Sequence, residues 1–302
     1  MQRCWSLLFA AVNLSAIGLF AIAPAMGWWL PHNIASYGAD VDRLFYIILI
    51  ATGFFFVVTQ SALSYFMFRF CAQEGVKAKN IHGHFGLELL WTAVPFAILV
   101  YIGFAQIPTW AKMKYIEIET WFPITYNGKN LDPDLHITVL GRQWEWRMRY
   151  PQKNIPADPL AWADLGNLQD LHLVNELHAW KDAKVRIHLK TQDVIHSFFL
   201  PNLRLKQDAL PGKIMPVWFQ PIEANVRYNT NTKTLEELNS SPWEIACAEL
   251  CGGRHYRMRG KLFVHESKQD YERWFADSIL KQRLHNSPPT QETLAAGIGV
   301  RQ

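Results

Sequence analysis

The sequence predicts a membrane-anchored all-β protein, in which a transmembrane helical hairpin is followed by a β-domain outside the membrane. Two observations lead to this fold class. Two long stretches, residues 44–68 and 89–111, contain no charged residue. After residue 111 the pattern changes, and apolar residues alternate with polar ones at the period of a β-strand. Half of the 302 residues are hydrophobic, which is enough apolar material for both a membrane anchor and a packed core.

Each uncharged stretch is long enough to cross a membrane as a helix. About 20 residues suffice to span roughly 30 Å of hydrocarbon, and both stretches exceed that length. A buried core helix is the alternative, but such helices rarely run past about 15 residues without a charge. We therefore predict a transmembrane hairpin at residues 39–111, with spans at about residues 44–68 and 89–111.

Residues 1–26 form a third apolar segment, in which Arg3 is the only charged residue. The segment begins with a single basic residue and ends in small residues near Ala23 and Ala25, as a cleaved signal peptide does. It is also long enough to be an extra transmembrane span. We favour the signal peptide, and both alternatives remain open.

The loop between the two predicted spans indicates their orientation. It carries Arg69, Lys77 and Lys79, and short basic loops stay in the cytoplasm by the positive-inside rule. The long segment after residue 111 then lies outside the membrane.

The segment after the hairpin has the pattern of strands closed by one helix. The stretches "LHITVLGRQWEWRMRY" and "AKVRIHLKTQDVIHSFFL" alternate with period two, and turn-forming stretches such as "LPGK" separate the strands. A helical pattern of useful length returns only in "DYERWFADSILKQRLH". We predict an all-β sandwich or barrel at residues 112–276 and a C-terminal tail at residues 277–302, with the closing helix crossing this boundary.

A cluster of soft metal ligands lies in the second half of the β-domain. In "CAELCGGRHYRM", Cys247, Cys251, His255 and Met258 fall within twelve positions. A disulfide is the ordinary state of two cysteines outside the membrane, but it leaves the histidine and the methionine unexplained. Structural zinc favours C-x₂-C pairs and does not use thioether ligands. These two alternatives therefore explain only part of the cluster.

Copper explains the whole cluster. Cys251, His255 and Met258 have the Cys-x-x-x-His-x-x-Met spacing of a blue-copper ligand loop, whose thiolate, imidazole and weak axial thioether suit this metal. The first imidazole of such a site comes from an earlier strand, and His196 in "DVIHSFF" is the candidate. The remaining thiol, Cys247, can bridge two coppers together with Cys251.

Four motifs, in order along the chain, resemble subunit 2 of cytochrome c oxidase, a haem–copper terminal oxidase. "LELLWTAVP" is similar to the start of that subunit's second span, and "GRQWEW" to the aromatic motif through which electrons enter it. "DVIHSFFLPNLRLKQDALPG" is similar to the strand and turn that carry its first copper histidine, and "CAELCGGRHYRM" to its CuA loop. The resemblance extends from about Ala39 to Ala276 and implies a cupredoxin-like Greek-key β-barrel behind the hairpin.

The resemblance implies a centre of two copper ions, called CuA. The implied ligands are His196, Cys247, the backbone carbonyl of Glu249, Cys251, His255 and Met258. His196 and Met258 would bind one copper, His255 would bind the other, and Cys247 and Cys251 would bridge the two.

The Glu249 side chain matches a ligand of a magnesium ion at the interface with subunit 1. A carboxylate beside soft thiolates makes chemical sense when it faces a second, hard cation, and a solvated turn residue is the alternative.

Further residues take a role from the same resemblance. Trp144 matches the tryptophan through which electrons enter. Glu145 stands where the family usually has an aromatic residue, so the aromatic patch beside Trp144 is narrower than usual. Glu88, at the inner edge of the second span, matches the mouth of a proton channel of subunit 1, and acids in such positions tend to be functional. Asp193 and Asp208 match positions linked to donor docking and to contacts with subunit 1. The alternatives are a rim aromatic for Trp144 and an interfacial carboxylate for Glu88.

The resemblance implies that the chain accepts electrons from cytochrome c at the CuA centre. It would pass them to the haem and copper centres of subunit 1, where oxygen is reduced to water and protons are translocated. The copper cysteines argue against a quinol oxidase, the hairpin against nitrous oxide reductase, and the lack of a C-x-x-C-H motif against a fused haem domain. A copper-carrier or assembly protein is the alternative of a different class.

The implied partners are subunit 1 and the other oxidase subunits, a soluble or membrane-held cytochrome c, and the lipid bilayer, with no nucleic acid. The leader-like first segment and the loop at residues 152–168 favour a bacterial source. The implied location is therefore a bacterial inner membrane, crossed more than once, with the copper domain on the periplasmic side.

The charge of the β-domain is unusual for a protein that receives a basic donor. Residues 112–302 carry 25 Lys and Arg against 22 Asp and Glu. Arg254 and Arg257 follow the copper cysteines, and Arg142 and Arg147 flank Trp144. Because opposite charges steer such encounters, we predict a donor that is neutral or acidic at its haem edge, or one held in a larger assembly. The alternative is that these arginines face lipid headgroups, subunit 1 or haem propionates.

Overall fold

The computed structural model describes residues 2–72, 75–77, 80, 82–114, 133–151, 170–238 and 243–286. These residues form two compact units. The first unit consists of the helices within residues 2–114, and the second of strands and helices within residues 133–286, to which residues 34–36 also belong. The loop at residues 152–168 and the end of the predicted tail, residues 287–302, lie outside the described residues.

Four helices make up the described part of the first unit. They are α1 (Gln2–Ile22), α2 (Gly38–Arg69), α3 (Phe85–Ala105) and α4 (Ile107–Lys114). Among the described residues, three segments are long and apolar enough to span a membrane: Trp5–Ile22, Gly38–Arg69 and Phe85–Lys114. The two predicted spans fall within the second and third of these segments. Large apolar side chains such as Phe54, Phe96 and Leu99 are exposed on them, as expected of surfaces that face lipid.

An ion pair ties together the two ends of the predicted hairpin. Lys112 Nζ lies 2.5 Å from a carboxylate oxygen of Asp40, so the end of the second span meets the start of the first. The second predicted span is divided at Gln106, where α3 ends and α4 begins. Pro108 explains the division, because proline has no N–H to donate to the preceding turn and its ring clashes with that turn.

The first helix, α1, packs against α2. The rings of Phe20 and Trp29 have centroids 4.9 Å apart, and those of Trp29 and Tyr46 lie 6.0 Å apart. Gly53 of α2 faces the Phe20 ring. These contacts are those expected of a retained third span; cleavage of the segment as a signal peptide stays a prediction.

The described part of the second unit contains twelve strands, one α-helix and two short 3₁₀ helices, Pro201–Leu203 and His255–Arg257. The strands are β1 (Leu135–Arg142), β2 (Glu145–Tyr150), β3 (Leu171–Val174), β4 (Glu176–Trp180), β5 (Val185–Thr191), β6 (His196–Leu200), β7 (Leu205–Ala209), β8 (Met215–Phe219), β9 (Val226–Asn229), β10 (Thr234–Glu237), β11 (Trp243–Cys247) and β12 (Arg259–His265), and the helix is α5 (Lys268–Asn286). The strands pair into two sheets, in the orders β3-β2-β1-β5-β8 and β10-β9-β12-β11-β6-β7, with β4 also paired to β12. The prediction of an all-β domain is confirmed, and its closing helix is present.

Strands that are distant in sequence lie side by side in both sheets. β1 runs parallel to β5, and β4 runs parallel to β12, so neither sheet is a simple meander. Alternation along the strands places Ile137 and Val139 on the same face as Ile187 and Leu189, and all four are fully buried. This apolar face forms the core on which the metal-binding end of the unit is built.

A buried polar cluster joins α5 to the strands. His178 Nδ1 lies 3.2 Å from His265 Nε2, and His265 Nδ1 lies 2.9 Å from a carboxylate oxygen of Asp270. The Trp274 ring stacks on the His178 ring with centroids 3.7 Å apart. Because α5 supplies both Asp270 and Trp274, the closing helix is held by a hydrogen bond to a carboxylate and by an aromatic stack.

Acidification is expected to destabilise this unit. Burial lowers the pKa of His178 to about 4 and the pKa of His188 to about 3, whereas imidazoles in the unfolded chain titrate near pH 6.5. Between these values the unfolded chain binds more protons than the folded one. The free energy of unfolding therefore falls as the pH drops below about 6.5, by about 1.4 kcal/mol per pH unit for each proton. Chemical denaturation followed by tryptophan fluorescence over a series of pH values measures this slope.

The informative variant for this prediction is His178→Phe, which keeps a ring under Trp274 and removes one titrating group. Its unfolding free energy should depend less steeply on pH, by about one proton. A slope identical to that of the wild type would contradict the assignment of the acid sensitivity to His178.

Candidate metal centre

Two neighbouring strands bring the predicted ligands together. β6 begins at His196 and β11 ends at Cys247, and these strands pair antiparallel. The loop after Cys247 is fixed at both ends, because the Ala248 N–H donates to the Ser197 carbonyl (2.9 Å) and the Cys247 N–H donates to the Met258 carbonyl (3.1 Å). The loop therefore folds back over the end of the β6–β11 pair.

Four potential donor atoms surround two thiols, and with the two sulfur atoms they make six donors. The sulfur atoms of Cys247 and Cys251 lie 3.8 Å apart. Around Cys247 Sγ lie His196 Nδ1 at 3.8 Å and the Glu249 carbonyl oxygen at 3.2 Å, and around Cys251 Sγ lie His255 Nδ1 at 3.5 Å and Met258 Sδ at 3.8 Å. The structure thus brings together all six residues that the sequence singles out as copper ligands.

The two thiols differ in acidity, and both are free rather than joined in a disulfide. Burial raises the pKa of Cys247, but a hydrogen bond with His196 and one with the backbone of Ser197 outweigh burial and lower this pKa to about 6. Burial and the neighbouring Cys247 thiolate raise the pKa of Cys251 to about 12. A second thiolate beside the first therefore requires added positive charge, which a metal ion would supply.

The inner side of this cluster is closed to solvent. His196 and Met258 have no exposed surface and Cys251 is 2% exposed, whereas Cys247 and His255 are half-buried. The Trp146 ring packs edge-on against the His196 ring, with centroids 5.9 Å apart. Any metal bound here would be held by groups that the aromatic core keeps in place.

Asp193 orients the His196 ring. One of its carboxylate oxygens accepts a hydrogen bond from His196 Nε2 at 2.8 Å, which leaves Nδ1 directed at Cys247. The other oxygen accepts a hydrogen bond from the backbone N–H of Gln143 at 2.7 Å. A carboxylate behind a histidine ligand commonly fixes its tautomer and orientation. Here the same carboxylate also links that histidine to the turn that carries Trp144.

Trp144 lies in the two-residue turn between β1 and β2 and touches the loop after Cys247. Its indole N–H donates to the Cys251 carbonyl at 3.2 Å, and the Gln143 side-chain amide donates to the same oxygen at 2.8 Å. Gly252 permits this approach, because a Cβ there would lie 3.3 Å from the Trp144 ring and its φ of +115° disfavours other residues. One hydrogen bond therefore joins the half-buried ring to a thiol-bearing residue.

Three other predicted residues, Glu88, Asp208 and Glu249, have exposed side chains. Glu88 lies in the first turn of α3, where its carboxylate accepts a hydrogen bond from the backbone N–H of His84 at 3.2 Å. This contact gives Glu88 a local role at the helix N-terminus. Their proposed roles in magnesium binding, subunit contact and proton uptake stay predictions.

The sequence interpretation misses Gly141 and Gln143 as supports of the site. A Cβ at Gly141 would lie 3.0 Å from both His196 Cδ2 and Trp146 Cζ3, so a glycine lets the two rings approach this strand closely. Both missed residues belong to "GRQWEW", and a glycine inside a strand pattern is the signal that marks such a close approach.

The fold and the site define a class of protein: a membrane-anchored β-domain of the cupredoxin type with soft ligands for a metal at one end. The family model for the periplasmic domain of cytochrome c oxidase subunit II matches residues 135–262, and the model for its transmembrane domain matches residues 28–108. The chain belongs to the cytochrome c oxidase subunit II family.

Individual relatives agree with this assignment. The chain is 26% identical over 288 residues to cytochrome c oxidase subunit 2 of Thermostichus vulcanus, with 81% of this chain and 77% of the relative covered. It is 28% identical over 262 residues to the alternative cytochrome c oxidase subunit 2 of Bradyrhizobium diazoefficiens, with 82% of each covered. A solved structure, the periplasmic domain of subunit II of cytochrome oxidase from Bradyrhizobium japonicum, is 22% identical with a TM-score of 0.37 over 52% of this chain and 98% of that one.

Family membership confirms several predictions. The chain is a subunit of a haem–copper terminal oxidase and acts with other oxidase subunits. Its fold is a helical membrane anchor followed by a cupredoxin-like periplasmic β-domain. The family implies copper, and His196, Cys247 and Cys251 are placed so that they could bind a metal. The donor set fits copper, because thiolate, imidazole and thioether are soft or borderline ligands that hard ions such as magnesium do not select.

We expect Gly141→Ala to loosen this site. Its methyl group would lie 3.0 Å from the His196 and Trp146 rings, and overpacking of this kind costs about 1–3 kcal/mol. The variant should retain less copper and unfold at a lower denaturant concentration, as metal analysis and denaturation measure. Gly253→Ala is the matched control, because its methyl group meets nothing within 4 Å. Equal copper retention in the two variants would contradict the prediction.

Proposed function

We propose that the chain accepts electrons from a cytochrome c at a centre of two copper ions and delivers them to the haem and copper centres of subunit 1. The observation that carries this proposal is the convergence of four further donor atoms on the paired thiols, which makes six donors in all. The proposed ligands are His196, Cys247, the Glu249 carbonyl, Cys251, His255 and Met258.

The arrangement of the donors supports two ions rather than one. His196 lies beside the Cys247 sulfur, whereas His255 and Met258 lie beside the Cys251 sulfur. Six donors are more than one four-coordinate copper site uses, and each sulfur has its own imidazole neighbour. When bound, two copper ions that share both thiolates would spread one electron over both, so their bond lengths would change little on reduction.

The chain's own residues keep the ligand positions fixed while an electron arrives and leaves. Asp193 and Trp146 hold the His196 ring from two sides. Met258 and Cys251 are buried, so water does not compete for their sulfur atoms. Rigid support of this kind keeps the structural rearrangement during electron transfer small.

We assign the uptake of electrons to Trp144. Its half-buried ring reaches the surface, and its N–H contacts the carbonyl of Cys251. The route from the surface to a bridging cysteine therefore contains a single hydrogen bond. A rim aromatic that only fills space does not account for this N–H contact.

The remaining parts of the proposal rest on the family resemblance. The Glu249 side chain would hold magnesium at the interface with subunit 1, and Glu88 would lie at the mouth of a proton channel of subunit 1. Asp208 would contact subunit 1, and Asp193 would contribute to donor docking by holding the turn that carries Trp144. The exposed side chains of Glu249, Glu88 and Asp208 are accessible to a partner. The proposed location is a bacterial inner membrane, with lipid around α2 and α3 and the β-domain in the periplasm.

A copper carrier or assembly protein is less well supported by the same geometry. A carrier needs an exposed site from which its metal can be passed to another protein. His196, Met258 and Cys251 are buried, and the six converging donors describe a closed centre that retains its metal.

Cys247→Ser tests the assignment of two bridging thiolates. The wild-type protein should bind two coppers and show one unpaired electron shared by both nuclei. The variant should retain a single copper of blue or type-2 character, because a hydroxyl group does not bridge as a thiolate does. Metal analysis and electron paramagnetic resonance measure both properties. Cys71→Ser is the control, since Cys71 is a free cysteine of the helical unit and is not a proposed ligand; two coppers in Cys247→Ser would rule out the bridging role.

Trp144→Ala should slow the transfer of electrons from the donor to copper by orders of magnitude while copper content stays at the wild-type level. Stopped-flow reduction of the oxidase measures this rate. Glu88→Gln should leave that rate unchanged and slow only the later steps that need proton uptake. Donor-to-copper transfer at the wild-type rate in Trp144→Ala would place electron uptake elsewhere on the surface.

A further inference from the structure

Positive charge surrounds the ring to which we assign electron uptake. The Arg254 guanidinium carbon lies over the Trp144 ring, 5.7 Å from its centroid, and the Arg257 guanidinium carbon lies 5.6 Å from the centroid of the Tyr256 ring. Both arginines are exposed. On the same loop, Leu250 is 79% exposed and Tyr256 is 67% exposed. We call Trp144, Leu250, Arg254, Tyr256 and Arg257 the copper rim.

The acid next to Trp144 in sequence does not offset this charge. Glu145 pairs with two arginines at once, with Arg142 Nε at 2.8 Å and with Arg147 Nε at 2.7 Å. One carboxylate between two guanidinium groups leaves a net positive charge. Glu145, which stands where an aromatic residue is usual, therefore adds no net negative charge to the surface beside Trp144.

The second nearby acid, Asp193, keeps 31% of its side-chain surface exposed, but its carboxylate is engaged in hydrogen bonds. The Asp193 carboxylate accepts hydrogen bonds from His196 Nε2 and from the Gln143 N–H, so it serves the metal site. Within the part of the chain that the structure describes, no carboxylate forms an ion pair with Arg254 or Arg257. Arg259, which begins β12, pairs with Glu244 of the neighbouring strand β11. The charges of Arg254 and Arg257 are therefore available to a partner.

The copper rim has the composition of a docking surface. Exposed apolar and aromatic side chains with arginines around them are typical of protein interfaces. A guanidinium held over an indole remains free to form charge-assisted hydrogen bonds with an incoming carboxylate. A donor that presents lysines would instead bring like charges together at the point of closest approach, which raises the free energy of the encounter complex.

We propose that the copper rim docks an electron-donor protein whose haem edge carries carboxylates. This inference rests on the proposed function, because it specifies the donor of the same centre. Arg254 covers the ring through which electrons enter, so a donor close enough to transfer an electron meets this cation first.

The test measures reduction of copper in the intact oxidase complex by two c-type cytochromes, one with an acidic and one with a basic haem edge. The acidic donor should react faster at low ionic strength, by about tenfold or more, because opposite charges steer association. Its advantage should shrink as salt screens the attraction. If the basic donor is faster at low ionic strength, or if the two donors respond alike to salt, the docking proposal is overturned.

Charge reversal tests the same idea from the side of this chain. Arg257→Glu changes the charge of the rim without removing the group that stacks on Trp144, and it should slow the acidic donor by about tenfold at low salt and accelerate the basic one. Arg254→Glu should have a larger effect, and Arg254→Gln an intermediate one. Arg273→Glu is the matched control, because Arg273 is an exposed arginine on α5 and belongs neither to the copper rim nor to the proposed ligands; both rates should stay at their wild-type values.

A small reductant separates this inference from the proposed function. Ascorbate with a phenylenediamine mediator needs no docking surface, so it should reduce copper in all these variants at the wild-type rate. Loss of mediator-driven reduction in the wild-type complex would count against the proposed function itself. If the arginines instead face subunit 1 or lipid headgroups, charge reversal would impair assembly and leave the donor preference of the assembled enzyme unchanged, which overturns the docking proposal alone.

Discussion

Two thiols that lie 3.8 Å apart in a largely buried site cannot both be negative unless positive charge lies beside them. The free thiols meet this constraint by unequal acidity, with the pKa of Cys247 lowered to about 6 and the pKa of Cys251 raised to about 12. Copper ions would meet it by supplying the charge themselves. The other donors, His196, His255 and Met258, are neutral as ligands, so they complete such a centre without adding to the repulsion.

One carboxylate connects this centre with the turn that carries Trp144. Asp193 holds His196 through one oxygen and the backbone of Gln143 through the other. Hydrogen bonds to a charged acceptor are short and strong, so the position of the indole and the orientation of the histidine are set together. An acid used in this way would act on docking mainly by holding the turn, and on the proposed docking surface the arginine over the indole would be the charge that a donor meets.

The two units of the chain place their large apolar side chains in opposite ways. In the helical unit, large apolar side chains such as Phe96 and Leu99 point outward, because lipid accepts them and the helix satisfies its own backbone hydrogen bonds. In the β unit, side chains such as Ile187 and Phe198 are fully buried, and some of the polar groups in the interior contact one another, as His178 and His265 do. The change of pattern after residue 111 in the sequence reflects this change of surroundings.

Features that depend on neighbours along the chain can be read from the sequence alone. The spans are visible because a charge is costly at any point within hydrocarbon, and the ligands from Cys247 to Met258 are visible because their spacing lies within one loop. The all-β pattern and the closing helix have the same local origin. Periodicity alone did not predict the division of the second span at Gln106, although Pro108 carries the signal for it.

Which distant segments meet becomes visible only in the folded chain. The pairing of β6 with β11 places His196 beside Cys247, 51 positions further along the chain, and the room that Gly141 leaves for two rings appears only once the strands are packed. The stacking of Arg254 on Trp144 likewise joins two separate turns. Alternation specifies which face of a strand is apolar, but it does not specify the partner strand. Contacts of this kind arise from the packing of the whole core, and no single stretch of sequence contains them.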